Sequence, residues 1–284
     1  MIRIGRILCP VDVSDISARA LNHAMALARW YEAEVTVLYV SIDALPAAGP
    51  IPIAPEPLAT VEADVRRFAE RASVPGVPVT VMVDEGYTAA AARIVERVRD
   101  LRADLLVMGT HGRGGFDRLV LGSTTEKVLR KVHCPVLTVP PRSDQQPADT
   151  PVLFKRILCP IDFSESSSRA TEFALSLAQE ADARLTLLHV MEWWTADTRQ
   201  QLYEEAHEGL RHAVPDEART WCTPEAMVTS GVAYREILRV AAEKEVDLIV
   251  MGVLGRNAVD LTLFGSTTSH VVRGASCPVL TLRV

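Results

Sequence analysis

The chain has 284 residues, 48% hydrophobic and 23% charged, enough for two domains of ordinary size that each bury a core. Its net charge of −6 argues against broad, non-specific binding to nucleic acid. Apolar runs such as residues 105–108 and 248–251 fall far short of the roughly 20 residues a membrane-spanning helix needs, and residues 1–6 lead straight into a strand without the apolar stretch of a secretory signal, so a cytoplasmic protein with no membrane partner is expected.

In chain order, the first half alternates β-branched runs with longer amphipathic stretches. Strands are predicted over residues 6–11, 34–40, 77–83, 104–109 and 135–139, and helices near 14–32, 57–73, 88–101 and 123–132. Ser14 is placed to cap the first helix, and Ala18, Leu21, Ala24, Met25 and Ala28 follow at helical spacing. A proline-rich loop, 45–57, separates the second strand from the second helix. Residues 140–151 are polar and proline-rich and read as a linker. The second half repeats the strands at 156–161, 184–190, 225–228, 247–252 and 278–282; its shorter version of the 45–57 loop carries Trp193-Trp194, which reads as a lid over the core.

Strict alternation of strand and helix implies right-handed crossovers and a parallel sheet covered on both faces. The fold class expected is α/β: two tandem open parallel-sheet domains with helices on both faces. Ligands of such sheets bind outside the carboxyl ends of the strands, where Asp12, Val40 and Gly109 fall in the first copy and Asp162, Val190 and Gly252 in the second.

The duplication is literal at several points. Arg6-Ile-Leu-Cys-Pro-Val-Asp12 returns as Arg156-Ile-Leu-Cys-Pro-Ile-Asp162, and His133-Cys-Pro-Val-Leu-Thr138 as Ser276-Cys-Pro-Val-Leu-Thr281. A repeat this long means tandem globular domains, because solenoid units run roughly 20–50 residues. Cys9, Cys159, Cys134 and Cys277 occupy matching positions before prolines; they read as buried small hydrophobes, with Cys9 and Cys134 at opposite edges of the sheet and so not disulfide-bonded.

The glycines carry the chemistry. Gly109-Thr-His-Gly112 is followed after nine residues by Gly122-Ser123, and Gly252-Val-Leu-Gly255 after nine by Gly265-Ser266. The first segment lets backbone approach a ligand and present N–H groups to an anion; the second opens a helix, adding free N–H donors, the positive dipole end and the hydroxyls of Ser123, Thr124 and Thr125. Together they form a two-part phosphate cradle. Neither a Gly-x4-Gly-Lys-Ser/Thr loop nor a Gly-x-Gly-x-x-Gly first turn is present, which disfavours a P-loop NTPase and a dinucleotide dehydrogenase.

Gly-x2-Gly-x9-Gly-Ser after the fourth strand, Pro-Val/Ile-Asp ending the first, and the Cys-Pro-Val-Leu-Thr terminal strand resemble the universal stress protein family in tandem form. The resemblance covers nearly the whole chain and implies five-stranded parallel sheets of the adenine nucleotide alpha hydrolase-like kind, with domains at 1–140 and 153–284 and a linker over 141–152. Members with this motif bind ATP, usually without fast turnover. The resemblance therefore implies ATP with Mg²⁺ held in the first domain by Pro10, Val11 and Asp12 around the adenosine, Val40 at the adenine, and Met108, Gly109, His111, Gly112, Arg113, Gly122, Ser123 and Thr124 toward the phosphates. The second set is Pro160, Ile161, Asp162, Val190, Gly252, Gly255, Arg256, Gly265, Ser266 and Thr267. Asp12 and Asp162 serve either ribose or water-bridged Mg²⁺, or else cap the following helix. Leu254 stands where His111 does, and Asn257-Ala258 replaces Gly114-Gly115, so the two sites are expected to differ in affinity. In the family the last strands form a dimer contact, which implies pairing of the two domains through those strands and a homodimer.

The function expected is a nucleotide-dependent stress regulator with at most slow ATP hydrolysis, His111 being the one candidate base. The rivals are a slow ATPase and a scaffold or small-ligand protein with a degenerate second site. His189, His207, His212 and Cys222 raise a zinc alternative, but their spacing matches no compact metal motif and no metal site is expected.

Overall fold

The computed structural model describes residues 2–42, 57–86, 89–111, 121–141, 154–220, 222, 224–254 and 264–283. Two compact units divide the chain, one of them Arg3–Pro141 and the other holding Arg142–Val284.

In the first unit β1 (Arg6–Val11), β2 (Glu34–Ile42), β3 (Val79–Gly86), β4 (Leu105–Gly109) and β5 (Val136–Val139) form a parallel sheet ordered β3-β2-β1-β4-β5. The crossovers are α1 (Asp15–Tyr31), α2 (Leu58–Arg71), α3 (Ala90–Asp100) and α4 (Ser123–Lys131). The strand order reverses direction between β1 and β4, so their carboxyl ends border a crevice. Leu105, Leu106, Val107 and Met108 are all buried, as strands covered on both faces require; each such side chain contributes about 1.5–3 kcal/mol. Ser14 caps α1 by accepting from the Ser17 N–H, and Glu32 closes it in a left-handed turn at φ 54°. Ala20, Leu21, Ala24, Met25 and Ala28 face the core, with Ala20 rather than Ala18 in the stripe.

The second unit repeats the plan. Its strands β6 (Arg156–Pro160), β7 (Arg184–Met191), β8 (Glu225–Ser230), β9 (Leu248–Gly252) and β10 (Val279–Leu282) run parallel in the order β8-β7-β6-β9-β10. They are joined through α5 (Glu165–Ala181), α6 (Arg199–His212), α7 (Ala233–Glu243) and α8 (Ser266–Gly274).

Four sequence expectations change. Asp104 and Asp247 precede their strands instead of beginning them: Asp104 accepts from the Gly5 and Arg6 N–H groups at 3.0 and 2.9 Å, and Asp247 from those of Lys155 and Arg156 at 2.9 and 3.0 Å. Strand β3 lies further along than 77–83, because Gly76 turns the chain at φ 87° and Asp84 is neutralised inside the sheet. Arg97 clamps that carboxylate through Nε and Nη2 at 2.8 and 2.9 Å, and Arg93 approaches to 3.3 Å. Cys134 is only partly buried, whereas Cys9, Cys159 and Cys277 are buried as expected. All five cysteines are free thiols; burial pushes the Cys159 and Cys277 thiols up to about 12, which makes them poor nucleophiles. Finally, Trp193 and Trp194 do not roof the core: they are 88% and 43% exposed, with the Arg199 guanidinium 4.8 Å from the Trp194 ring. The 45–57 loop lies outside the described residues, apart from its last position.

Candidate site at the carboxyl ends of the strands

Pro10 and Val11 end β1, and Asp12 follows in a turn onto α1. The Asp12 carboxylate accepts from the Ser14 N–H at 3.1 Å and its hydroxyl at 2.5 Å, while Ser14 caps the helix. Asp162 repeats this on Ser164 at 3.1 and 2.6 Å. Each aspartate thus fixes the turn that presents it by holding the capping serine, and is not itself the helix cap. Between aspartate and cap, Val13 and Phe163 both adopt φ 62°. A left-handed β-branched or aromatic residue is strained, and its recurrence at one position of both sheets marks a turn held by its surroundings.

The glycine segments meet across the crevice. Gly109 ends β4, and the Thr110 carbonyl accepts from the Gly122 N–H at 2.8 Å. The Thr125 hydroxyl donates to the Gly109 carbonyl at 2.9 Å. In the second domain Gly265 donates to Val253 at 3.1 Å and Thr268 to Gly252 at 3.0 Å. Of the three hydroxyls anticipated at the start of α4, that of Thr125 is therefore turned inward as a tie, leaving Ser123 and Thr124 at the surface. The glycines are needed for closeness: a Cβ on Gly122 would sit 3.0 Å from the Thr110 oxygen, and one on Gly265 2.5 Å from that of Val253. The N-caps of α4 and α8 are Gly122 and Gly265, which make no side-chain cap, whereas Ser14 and Ser164 cap α1 and α5.

Of the other anticipated residues, Val40 lies near the end of β2, in register with Asp84, and Val190 near the end of β7. Met108 and Ile161 are 4% exposed and pack beneath the site. His111 is buried, with Nδ1 2.9 Å from the Thr110 hydroxyl. Pro160, Asp162, Ser266 and Thr267 occupy the positions matching Pro10, Asp12, Ser123 and Thr124. Gly112, Arg113, Gly255 and Arg256 lie outside the described residues. Thr268 and the caps Ser14 and Ser164 are not among the site residues the sequence points to, although their recurrence at matching repeat positions is a signal the sequence carries. Among the described residues no three His, Cys, Asp or Glu side chains group to hold a metal, and His207 instead faces the Tyr203 ring, 6.1 Å away.

Tandem open α/β domains, each with a glycine turn and an uncapped helix at the point where strand order reverses, define a narrow class. The chain belongs to the universal stress protein family, whose model matches residues 3–140 and 153–283. It is 37% identical over 140 residues to universal stress protein MJ0531 of Methanocaldococcus jannaschii, covering 47% of this chain and 81% of that protein. It is 29% identical over 234 residues to universal stress protein Rv2623 of Mycobacterium tuberculosis, covering 78% of this chain and 74% of that one. A universal stress protein structure from Archaeoglobus fulgidus superposes with a TM-score of 0.68 at 23% identity, over 99% of this chain and 97% of the other, which shows the shared fold. No described helix is long and apolar enough to cross a membrane.

Proposed function

We propose that the chain is a nucleotide-dependent regulator of the stress response that takes ATP, with Mg²⁺, at the carboxyl end of each sheet and hydrolyses it slowly or not at all. The reading rests on one observation made twice: a glycine turn and an uncapped helix start are tied together at the switch point by Gly122 and Thr125, and again by Gly265 and Thr268. A helix start led by glycine, with its positive dipole end, suits a polyphosphate. Pro10, Val11 and Asp12 border the adenosine and Val40 meets the adenine through its backbone, with Pro160, Ile161, Asp162 and Val190 in the same roles. Gly109, His111, Gly112, Arg113, Gly122, Ser123 and Thr124 take the phosphates of the first nucleotide. Gly252, Gly255, Arg256, Gly265, Ser266 and Thr267 take those of the second. Asp12 and Asp162, oxygen donors suited to a hard cation, reach Mg²⁺ through water.

The domains extend over 1–140 and 153–284 with a linker between, pair through their last strands and form a cytoplasmic homodimer. Each last strand ends the strand order of its own sheet, which suits it for pairing. A second reading, a scaffold that docks a protein partner, is favoured by the exposure of Trp193. Titration with ATP, GTP and adenosine in the presence of Mg²⁺, with phosphate release followed in parallel, separates the two. Saturable ATP binding with negligible phosphate release supports the regulator, and absence of adenine-nucleotide binding favours the scaffold.

A further inference from the structure

The two turns after the fourth strand of each domain are built differently. In the second domain Ser166, 2% exposed in the first turn of α5, donates its hydroxyl to the Leu254 carbonyl, and the Ser164 hydroxyl approaches the same oxygen at 3.4 Å. Gly252 lies hard against this serine: a Cβ there would come within 2.8 Å of the Ser166 carbonyl carbon. The helix and the turn Gly252–Val253–Leu254 are therefore in direct contact and hydrogen-bonded. The matching residue of the first domain is Ile16. Its Cγ2 fills the same space, 2.6 Å from where a Cβ on Gly109 would stand, but it has no proton to donate. His111, the counterpart of Leu254, turns its ring to Thr110 instead.

A buried hydroxyl must find an acceptor or forfeit its hydration, so the Ser166 bond ties the turn to a rigid helix before any ligand arrives. Immobilising a binding segment in advance removes part of the ordering cost of binding. We propose that Ser166 is a positioning residue of the second site: it presets the Gly252–Leu254 turn for the phosphate chain through a tie that Ile16 cannot make in the first domain. This role rests on the nucleotide reading above and deepens it. One neutral hydrogen bond amounts to about 1 kcal/mol, or roughly 5-fold in affinity.

The test uses the full chain carrying Gly122→Val, so that only the second site is read. Ser166→Ala is expected to weaken ATP about 5-fold while leaving adenosine unchanged, because the turn serves the phosphates. Hydrogen exchange without nucleotide is expected to quicken at the Val253 and Gly265 amides, whose bonds to Leu282 and Val253 frame the turn. The reciprocal Ile16→Ser, in a Gly265→Val background, is expected to tighten ATP at the first site. Equal loss of ATP and adenosine would mean general loosening and would overturn the role. ATP binding with exchange and affinity both untouched by Ser166→Ala would overturn it while sparing the nucleotide reading. Faster exchange in a protein that binds no nucleotide would sink that reading, and this role with it.

Discussion

The first and second cradles share a frame and differ in what surrounds it. Both join a glycine at the end of an apolar strand to a glycine at the start of a helix, through one backbone bond and one threonine hydroxyl. Beside this frame the first domain places His111 and the buried Asp84 with its partner Arg97, whereas the second has Leu254, the Ser166 bond and Thr229, which is in register with Val190 as Asp84 is with Val40. Backbone bonds and helix ends survived duplication because they do not depend on side-chain identity beyond glycine and threonine. Side chains around them diverged wherever a different group could fill the same space.

The largest test of this contrast is Asp84→Ala. It removes the buried carboxylate that Arg97 and Arg93, each about a quarter exposed, share, and is expected to destabilise the first domain by about 3 kcal/mol, since hydrogen bonds to a charged group are worth roughly 1.5–3 kcal/mol each and several are lost. Urea unfolding followed domain by domain checks it; an equal change in both transitions would contradict the assignment. Next in size, Gly122→Val and Gly265→Val are each expected to weaken ATP on the order of 100-fold at their own site by overpacking. The effect is larger for Gly265, where the clash with Val253 is closer. Calorimetric titration of each variant would sharpen the comparison or, if one variant emptied both sites, break it.

A smaller difference should appear in acid. Hydrogen bonding from Arg97 holds the Asp84 carboxyl below its ordinary value. A carboxyl depressed on folding contributes its full stability above its unfolded value, and that contribution is lost as pH falls through the folded one, here below about pH 4. Thermal melts across this range are expected to show the first domain losing stability, with the Asp84-dependent part absent in Asp84→Asn. The smallest effect is His111→Leu, which copies the second domain into the first. Losing one donor near the phosphates is expected to weaken ATP there about 5-fold and leave the second site unchanged; a loss of turnover without loss of affinity would instead identify His111 as a catalytic base.

The strand–helix alternation and the glycine spacing were legible because parallel strands buried on both faces, such as Leu105–Met108, read as unbroken apolar runs and because every landmark appears twice. The end of β3 was not, since Asp84 and Glu85 look like loop residues until the arginines of α3 are known to lie beside Asp84. Trp193 and Trp194 misled for the opposite reason: large apolar residues suggest burial, yet Arg199 packs on Trp194 in the open. The inward turn of Thr125 and the tie made by Ser166 were not legible, because both depend on carbonyls at or just beyond a strand end elsewhere in the chain.

The central claim, two working nucleotide cradles in one chain, is tested most directly by counting. Freshly purified protein saturated with ATP and Mg²⁺, freed of excess nucleotide, denatured and assayed for ATP, ADP and AMP is expected to release about two ATP per chain, falling by about one in either glycine variant. Release of no adenine nucleotide under these conditions would contradict the account.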